Sequence, residues 1–123
     1  MSRLLSLTQC YGVSLKPGLL RALRTDTDTL LDRVTGVSGS EHVREVAREQ
    51  LGVCFLPYGE SEGGDYMLAV IASMRTARDN ATLMEVGLLR VMPAWDALLQ
   101  RVIQQLNLPV SSAPTWFFLA AHR

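Results

Sequence analysis

The chain has 123 residues, of which 48% are hydrophobic and 20% are charged. This length predicts one domain, 1–123, whose apolar residues suffice for a core without disulfides or metal. Twelve basic and twelve acidic residues give a net charge of zero, which argues against a nucleic-acid-binding protein because such proteins usually carry a basic face.

Helical spacing dominates the first third of the chain. Leu4, Leu7 and Tyr11 fall at i, i+3 and i+7 and predict a first helix. Pro17 suits the first turn of a second short helix. The alternating Thr and Asp residues of 25–29 offer N-caps to a third.

A longer helix is predicted next. Ser38 and Glu41 have the spacing of a capping box, and Gly52 can end the helix. The predicted core stripe consists of Val43, Val46, Ala47, Gln50, Leu51 and Cys54. The predicted solvent face carries Arg44, Glu45, Arg48 and Glu49.

After Gly52 the pattern changes to that of strands. Val53–Leu56 is short, apolar and partly β-branched, and the following Pro57 limits it to an edge or an end of a sheet. Residues 66–76 are apolar at both alternating sets of positions, which is typical of a central strand.

The next segment leaves two alternatives open. Residues 78–80 predict a hairpin turn, followed by a returning strand over 81–91. A helix over 81–92 fits the same short apolar run, because periodicity alone does not separate the two.

The C-terminal part contains the clearest pattern. Pro93 opens a long amphipathic helix that ends at Asn107 and Pro109. Its apolar stripe is Trp95, Leu98, Leu99, Val102, Ile103 and Leu106. Residues 115–121 predict a final strand. The sequence therefore predicts an α+β, two-layer fold, with N-terminal helices, an antiparallel β meander, the long C-terminal helix and a last strand.

Few residues are suited to catalysis or metal binding. The chain has two histidines and two cysteines, which lie far apart in sequence and form no recognisable motif. We therefore predict no catalytic residues, no metal site and no cofactor, and the sequence favours a non-enzymatic protein over an enzyme. Without a signal peptide or a membrane span, Cys10 and Cys54 are expected as reduced thiols in a cytoplasmic protein, with a disulfide between them as the alternative.

One stretch, from Val46 to Gln100, resembles a known family. It contains the helix end 48–54, then Pro57-Tyr58-Gly59, the acidic glycine loop 60–63, the apolar strand Tyr66–Met74, Leu88-Leu89 and a terminal amphipathic helix. This order is similar to the IcmS-type adaptors of type IVB secretion systems. The resemblance implies a small cytosolic, bacterial α/β adaptor or chaperone that pairs with a second protein. The family would have a helix where 81–91 is predicted as a strand, and this chain adds the aromatic strand at its C-terminus.

Our first functional hypothesis is a protein-interaction module that binds its partner through an aromatic surface. Consecutive residues of a strand point to opposite faces, so Trp116 and Phe118 share one face. With Trp95 they are the predicted anchors, and Arg90 and Arg101 would orient the partner by paired charge. Replacing the aromatics with alanine is expected to weaken binding without unfolding the domain.

Other partners and functions stay open. Low net charge gives little protection against self-association, so a homodimer is also predicted. The alternative function is a small ligand-binding domain or enzyme with a pocket between sheet and helices, near Tyr58, Glu60, Glu62, Tyr66 and Cys54. A nucleic-acid regulator would need its arginines on one surface, and the zero net charge makes it the least favoured.

Overall fold

The computed structural model describes residues 5–59, 65–78 and 89–122. Within them the chain is an α+β protein with an antiparallel sheet, as predicted. Its elements are β1 (Leu5–Ser14), α1 (Leu19–Leu23), α2 (Thr27–Thr35), α3 (Glu41–Leu51), β2 (Val53–Tyr58), β3 (Asp65–Val70), β4 (Arg75–Arg78), α4 (Pro93–Leu106) and β5 (Thr115–His122).

The first strand, β1, is the centre of the sheet. Along one side it pairs with β5 over eight residues, from Leu5 opposite His122 to Gly12 opposite Thr115. Along its other side it pairs first with β4 and then with β3, and β2 lies beyond β3. This segment was predicted as a helix, and that prediction is wrong. The spacing of Leu7 and Tyr11 also fits one face of a strand, and pairing with neighbours on both sides decides between the two.

The predicted central strand over 66–76 is confirmed for β3, which lies between β2 and β1, but it does not run unbroken to residue 76. A single 3-10 turn, Ile71–Ser73, separates β3 from β4. Both strands pair with β1, which places the turn beside the middle of the central strand. The buried Ser73 hydroxyl accepts a hydrogen bond from the Tyr11 N–H at 2.8 Å and donates one to the Val70 carbonyl at 2.7 Å. It thereby replaces the ladder bonds that the turn removes.

The helices cover one face of the sheet. The main core joins buried side chains of β1 and β3 to those of α2 and α4, including Val13, Leu68, Leu30 and Leu99. A smaller apolar cluster occupies the opposite face, around the buried Cys10, Met67 and Ala69. Both Cys10 and Cys54 are free thiols, and both belong to this second cluster.

Helix ends follow the local sequence closely. The Asp26 carboxylate accepts a hydrogen bond from the Thr29 N–H at 2.7 Å and caps α2. Pro93 begins α4, and Asn107 ends it in a left-handed conformation. The cap of α3 is Ser40 rather than the predicted Ser38.

The predicted orientation of α3 is right for Leu51, which packs against the main core, and wrong for its two valines. Val43 and Val46, expected in the core, are 47% and 39% exposed. The supposed solvent face contacts α2 instead, since Arg48 and Arg44 form ion pairs with Asp32 at 2.8 and 3.2 Å. The face of α3 that carries Arg44 and Arg48 therefore lies against α2, and the two valines stay at the surface.

The predicted hairpin over 78–80 and the segment 81–91, strand or helix, lie largely outside the described residues. Leu89–Met92, which are described, belong to neither a helix nor a strand. Among the described helices, none is long and apolar enough to cross a membrane.

Candidate functional site

Three aromatic side chains meet between the sheet and α4. Tyr11 of β1 lies opposite Trp116 of β5, and the two ring centroids are 5.5 Å apart. Trp95, in the first turn of α4, is 5.8 Å from Tyr11 and 5.9 Å from Trp116. The Trp116 ring is inclined steeply to both others, as aromatic quadrupoles favour. We call Tyr11, Trp95 and Trp116 the aromatic cluster.

A short hydrogen bond ties the aromatic cluster to α4. The Tyr11 hydroxyl donates to Asp96 Oδ1 at 2.6 Å. Burial raises the pKa of Tyr11 to about 12, and the hydrogen bond to Asp96 and the negative charge of Asp96 act in the same direction. Tyr11 is therefore protonated at neutral pH and acts as a donor and an orienting group.

Replacing Tyr11 with phenylalanine tests this hydrogen bond. At pH 7 we expect a loss of about 1.5 kcal/mol in the free energy of unfolding, because Asp96 loses its donor. The raised pKa of Tyr11 means that the folded protein keeps a proton which the unfolded chain loses above pH 10. Wild-type stability should therefore fall as the pH rises from 10 towards 12, and that fall should be shallower for Tyr11→Phe in urea unfolding measured at each pH.

Some alkaline loss will persist in the Tyr11→Phe variant. Burial also raises the pKa of the Cys10 thiol to about 11. If the free energy of unfolding falls equally steeply with pH in wild type and in Tyr11→Phe, the assignment of the alkaline loss of stability to Tyr11 is contradicted.

Two cavities flank the aromatic cluster. The Asp96 cavity, of about 400 Å³, lies between the sheet and α4, and its lining residues include Tyr11, Val13, Asp96, Gln100, Ile103 and Val110. The Trp116 cavity, of about 320 Å³, is lined by Gln9, Ala72, Ser73, Arg75, Leu89, Arg90, Met92, Trp95 and Trp116. Both volumes fall in the lower part of the range typical of ligand pockets, roughly 300–1,000 Å³.

The Trp116 cavity contains an unusual pair of polar groups. Gln9 Oε1 and Trp116 Nε1 are buried, and neither has a hydrogen-bond partner. One is an acceptor and the other a donor. Leaving such a group unpaired in the interior costs about 1–3 kcal/mol, so a ligand that offers both an acceptor and a donor would be favoured here.

The edge of the sheet runs beside this cavity. Among the described strands, β5 pairs only with β1, so its other edge has no partner there. Its sequence, Thr115–His122, contains no proline and no Lys, Arg, Asp or Glu, the residues that commonly block an edge from further pairing.

Comparison with known proteins gives no relative. No family model matches the chain, and neither a curated protein nor a solved structure matches it. The likeness to IcmS-type adaptors therefore remains a prediction, and the geometry of the chain itself carries the functional argument.

Four of the five predicted partner-binding residues lie around the Trp116 cavity. Trp95, Trp116 and Arg90 line it. Phe118 pairs with Gln9 in the sheet and is 49% exposed. Arg101 is an exposed residue of α4 and lines neither cavity.

The two tryptophans differ from Phe118 in burial. Trp95 and Trp116 are partly buried and pack against the main core. Replacing either with alanine would therefore remove core packing as well as any partner contact. Phe118 is the anchor that can be tested without a large loss of stability.

The residues expected around a different pocket do not come together. Tyr58 and Cys54 belong to the cluster on the sheet face opposite the helices, whereas Tyr66 packs against the main core on the other face. Glu60 and Glu62 lie outside the described residues. Within the described ranges, no three His, Cys, Asp or Glu side chains are placed to hold a metal ion.

Sequence reasoning missed Gln9 and Tyr11 as site residues, because the segment that carries them was predicted as a helix. The alternation of Leu5, Leu7, Gln9, Tyr11 and Val13 with smaller or more polar residues was the available signal for a strand. Their burial beside α4 depends on contacts with β5 and α4 that no local pattern contains.

Proposed function

We propose that this protein is a non-enzymatic interaction module that binds an extended segment of another protein at the Trp116 cavity and the edge of β5. The observation that carries the proposal is a group of apolar side chains left half exposed around that cavity. Leu89, Met92 and Phe118 are 41%, 48% and 49% exposed. Apolar side chains grouped at one place on a surface are typical of protein interfaces.

The neighbouring sheet edge supports an extended partner. A strand added beside β5 would pair its main chain with free N–H and C=O groups, and alternate side chains would reach the face that carries Phe118 and Trp116. The aromatic cluster supplies a rigid floor, because Tyr11 is held by its hydrogen bond to Asp96. This arrangement fits an adaptor or chaperone of the kind that the IcmS resemblance implies.

We further propose a cytoplasmic location, because the two thiols are free and burial raises the pKa of both Cys10 and Cys54. A raised pKa keeps a thiol protonated and slow to oxidise. Both thiols are compatible with a reducing compartment.

The decisive variant is Phe118→Asp. It places a charge at the exposed anchor, so binding of a protein partner should weaken at least about tenfold, the effect of roughly 1.4 kcal/mol. The matched control is Leu23→Asp, since Leu23 of α1 is 50% exposed and lines neither cavity. Affinity capture from the native cells, followed by titration with the purified partner, measures the effect.

The expected result is a stoichiometric partner retained by wild type and by Leu23→Asp but not by Phe118→Asp. Equal retention by all three would place the interface elsewhere. Recovery of the protein alone, as a monomer or a homodimer, would contradict a heterologous partner.

The Asp96 cavity favours a second candidate, a small-molecule binding domain. It lies between sheet and helix and combines apolar walls with the Asp96 carboxylate and the Gln100 amide. A metabolite screen by thermal shift separates the candidates, because a ligand bound only by the folded state raises the melting temperature.

A further inference from the structure

The two unpartnered polar atoms of the Trp116 cavity are complementary. Gln9 is only 4% exposed, and its Oε1 lacks a donor, while Trp116 Nε1–H lacks an acceptor. The register of β1 and β5 places both residues on the same sheet face, since Gln9 pairs with Phe118 and Trp116 pairs with Tyr11. These two groups line one cavity from adjacent strands. A ligand that pairs with both must offer a hydrogen-bond donor and an acceptor.

A peptide main chain offers both kinds of group. Its N–H can donate to Gln9 Oε1, and its carbonyl can accept from Trp116 Nε1–H. An aliphatic or aromatic side chain alone would leave both atoms unpaired.

The charged residues of the cavity narrow the class of ligand further. Among the described residues that line the cavity, the two charged ones are arginines, Arg75 and Arg90. Arg90 is exposed and makes no ion pair within the described part of the chain. A carboxylate next to the bound peptide group would therefore meet a guanidinium at the rim.

We propose that the Trp116 cavity recognises the main chain of an acidic segment of the partner protein, with a main-chain N–H bound to Gln9, a main-chain carbonyl bound to Trp116 and a carboxylate facing Arg90. This inference rests on the proposed function and names the chemistry of its partner. Because the two polar atoms are buried, side chains of the cavity must turn aside when the segment enters, and we expect Leu89 and Met92 to be the ones that move. Both are long and half exposed, which makes that movement feasible.

The chain has two tryptophans, so a ¹H–¹⁵N spectrum contains two indole cross-peaks, which the variant Trp95→Phe assigns. The probes are N-acetyl-aspartate N-methylamide and its uncharged asparagine analogue. We expect the aspartate probe to move the Trp116 indole proton downfield as its hydrogen bond forms. The asparagine probe should give the same direction of shift with roughly tenfold weaker binding at low salt.

Three variants separate the contributions. Gln9→Met removes the amide but keeps the length of the side chain, and it should weaken the binding of both probes. Arg90→Gln should remove the preference for aspartate and leave the indole shift in place. The control Arg101→Gln removes an arginine of α4 outside the cavity. It should change neither the binding of the two probes nor the preference for aspartate.

Several outcomes would overturn the inference. A Trp116 cross-peak that does not move at saturating probe, or equal binding of both probes by wild type, would each do so. A cross-peak that moves with protein concentration alone would assign the cavity to a second copy of this chain.

Binding of the captured partner to the Gln9 and Arg90 variants tests this inference separately from the proposed function. The partner meant is the protein that wild type retains and Phe118→Asp loses. If Gln9→Met and Arg90→Gln both retain that partner at full affinity, the proposed function stands and the peptide site is wrong. If no Phe118-dependent partner exists, the proposed function itself fails.

Discussion

Replacing Gly12 with alanine is expected to destabilise the protein by about 3 kcal/mol or more. Gly12 lies in the central strand opposite Ala69 of β3. A β-carbon there would lie 2.1 Å from the Leu68 carbonyl oxygen and 2.9 Å from the Ala69 α-carbon. These are backbone atoms of a paired strand, so relief requires moving β1 away from β3, which is more costly than repacking a side chain.

The matched control is Gly36→Ala. Gly36 follows α2 with φ of +66°, and a β-carbon there would meet nothing within 4 Å. Only the backbone conformation is penalised, at about 1–2 kcal/mol. Urea unfolding followed by circular dichroism measures both variants, and a Gly12→Ala cost no larger than that of Gly36→Ala would contradict the close approach of β1 and β3.

Replacing Ser73 with alanine should cost roughly 3 kcal/mol of unfolding free energy. The Ser73 hydroxyl accepts a hydrogen bond from the Tyr11 N–H and donates one to the Val70 carbonyl. Both bonds lie where the 3-10 turn interrupts pairing with β1. Ser73 is 4% exposed, and an alanine methyl group in its place offers neither a donor nor an acceptor. Its loss leaves a donor and an acceptor of the backbone unpaired in the interior, at about 1–3 kcal/mol each.

Ser112→Ala is the control for this second variant. The Ser112 hydroxyl also accepts a hydrogen bond from a β1 N–H, that of Ser14, at 3.3 Å, but the site is only partly buried. Water can take its place, so we expect a cost below about 1 kcal/mol. Hydrogen exchange should also show faster exchange of the Tyr11 amide in Ser73→Ala. An unchanged Tyr11 amide would contradict the role assigned to the hydroxyl.

The fold brings together only some of the predicted partner-binding residues. Trp95, Trp116 and Arg90 line one cavity, although they come from separate segments of the chain. Composition identified them as interface-forming residue types, but it did not indicate that Gln9 would join them. Arg101, chosen by the same criterion, faces elsewhere because six residues separate it from Trp95 on a helix of 3.6 residues per turn.

The sequence by itself determined those features whose causes are local. Pro93 and Asn107 bound α4, and Asp26 caps α2. In each, the deciding energy comes from a residue's own backbone preference or from a hydrogen bond to a near neighbour in the chain.

Only the tertiary structure decided the features that depend on distant partners. Leu4, Leu7 and Tyr11 have helical spacing, yet Leu5–Ser14 becomes the central strand because β3, β4 and β5 pair with it from both sides. The orientation of α3 follows from the ion pairs of Arg44 and Arg48 with Asp32. The unpartnered atoms of Gln9 and Trp116 likewise arise only when two strands and a helix enclose them. Contacts between residues 12 or more positions apart supply these energies, and a local pattern cannot contain them.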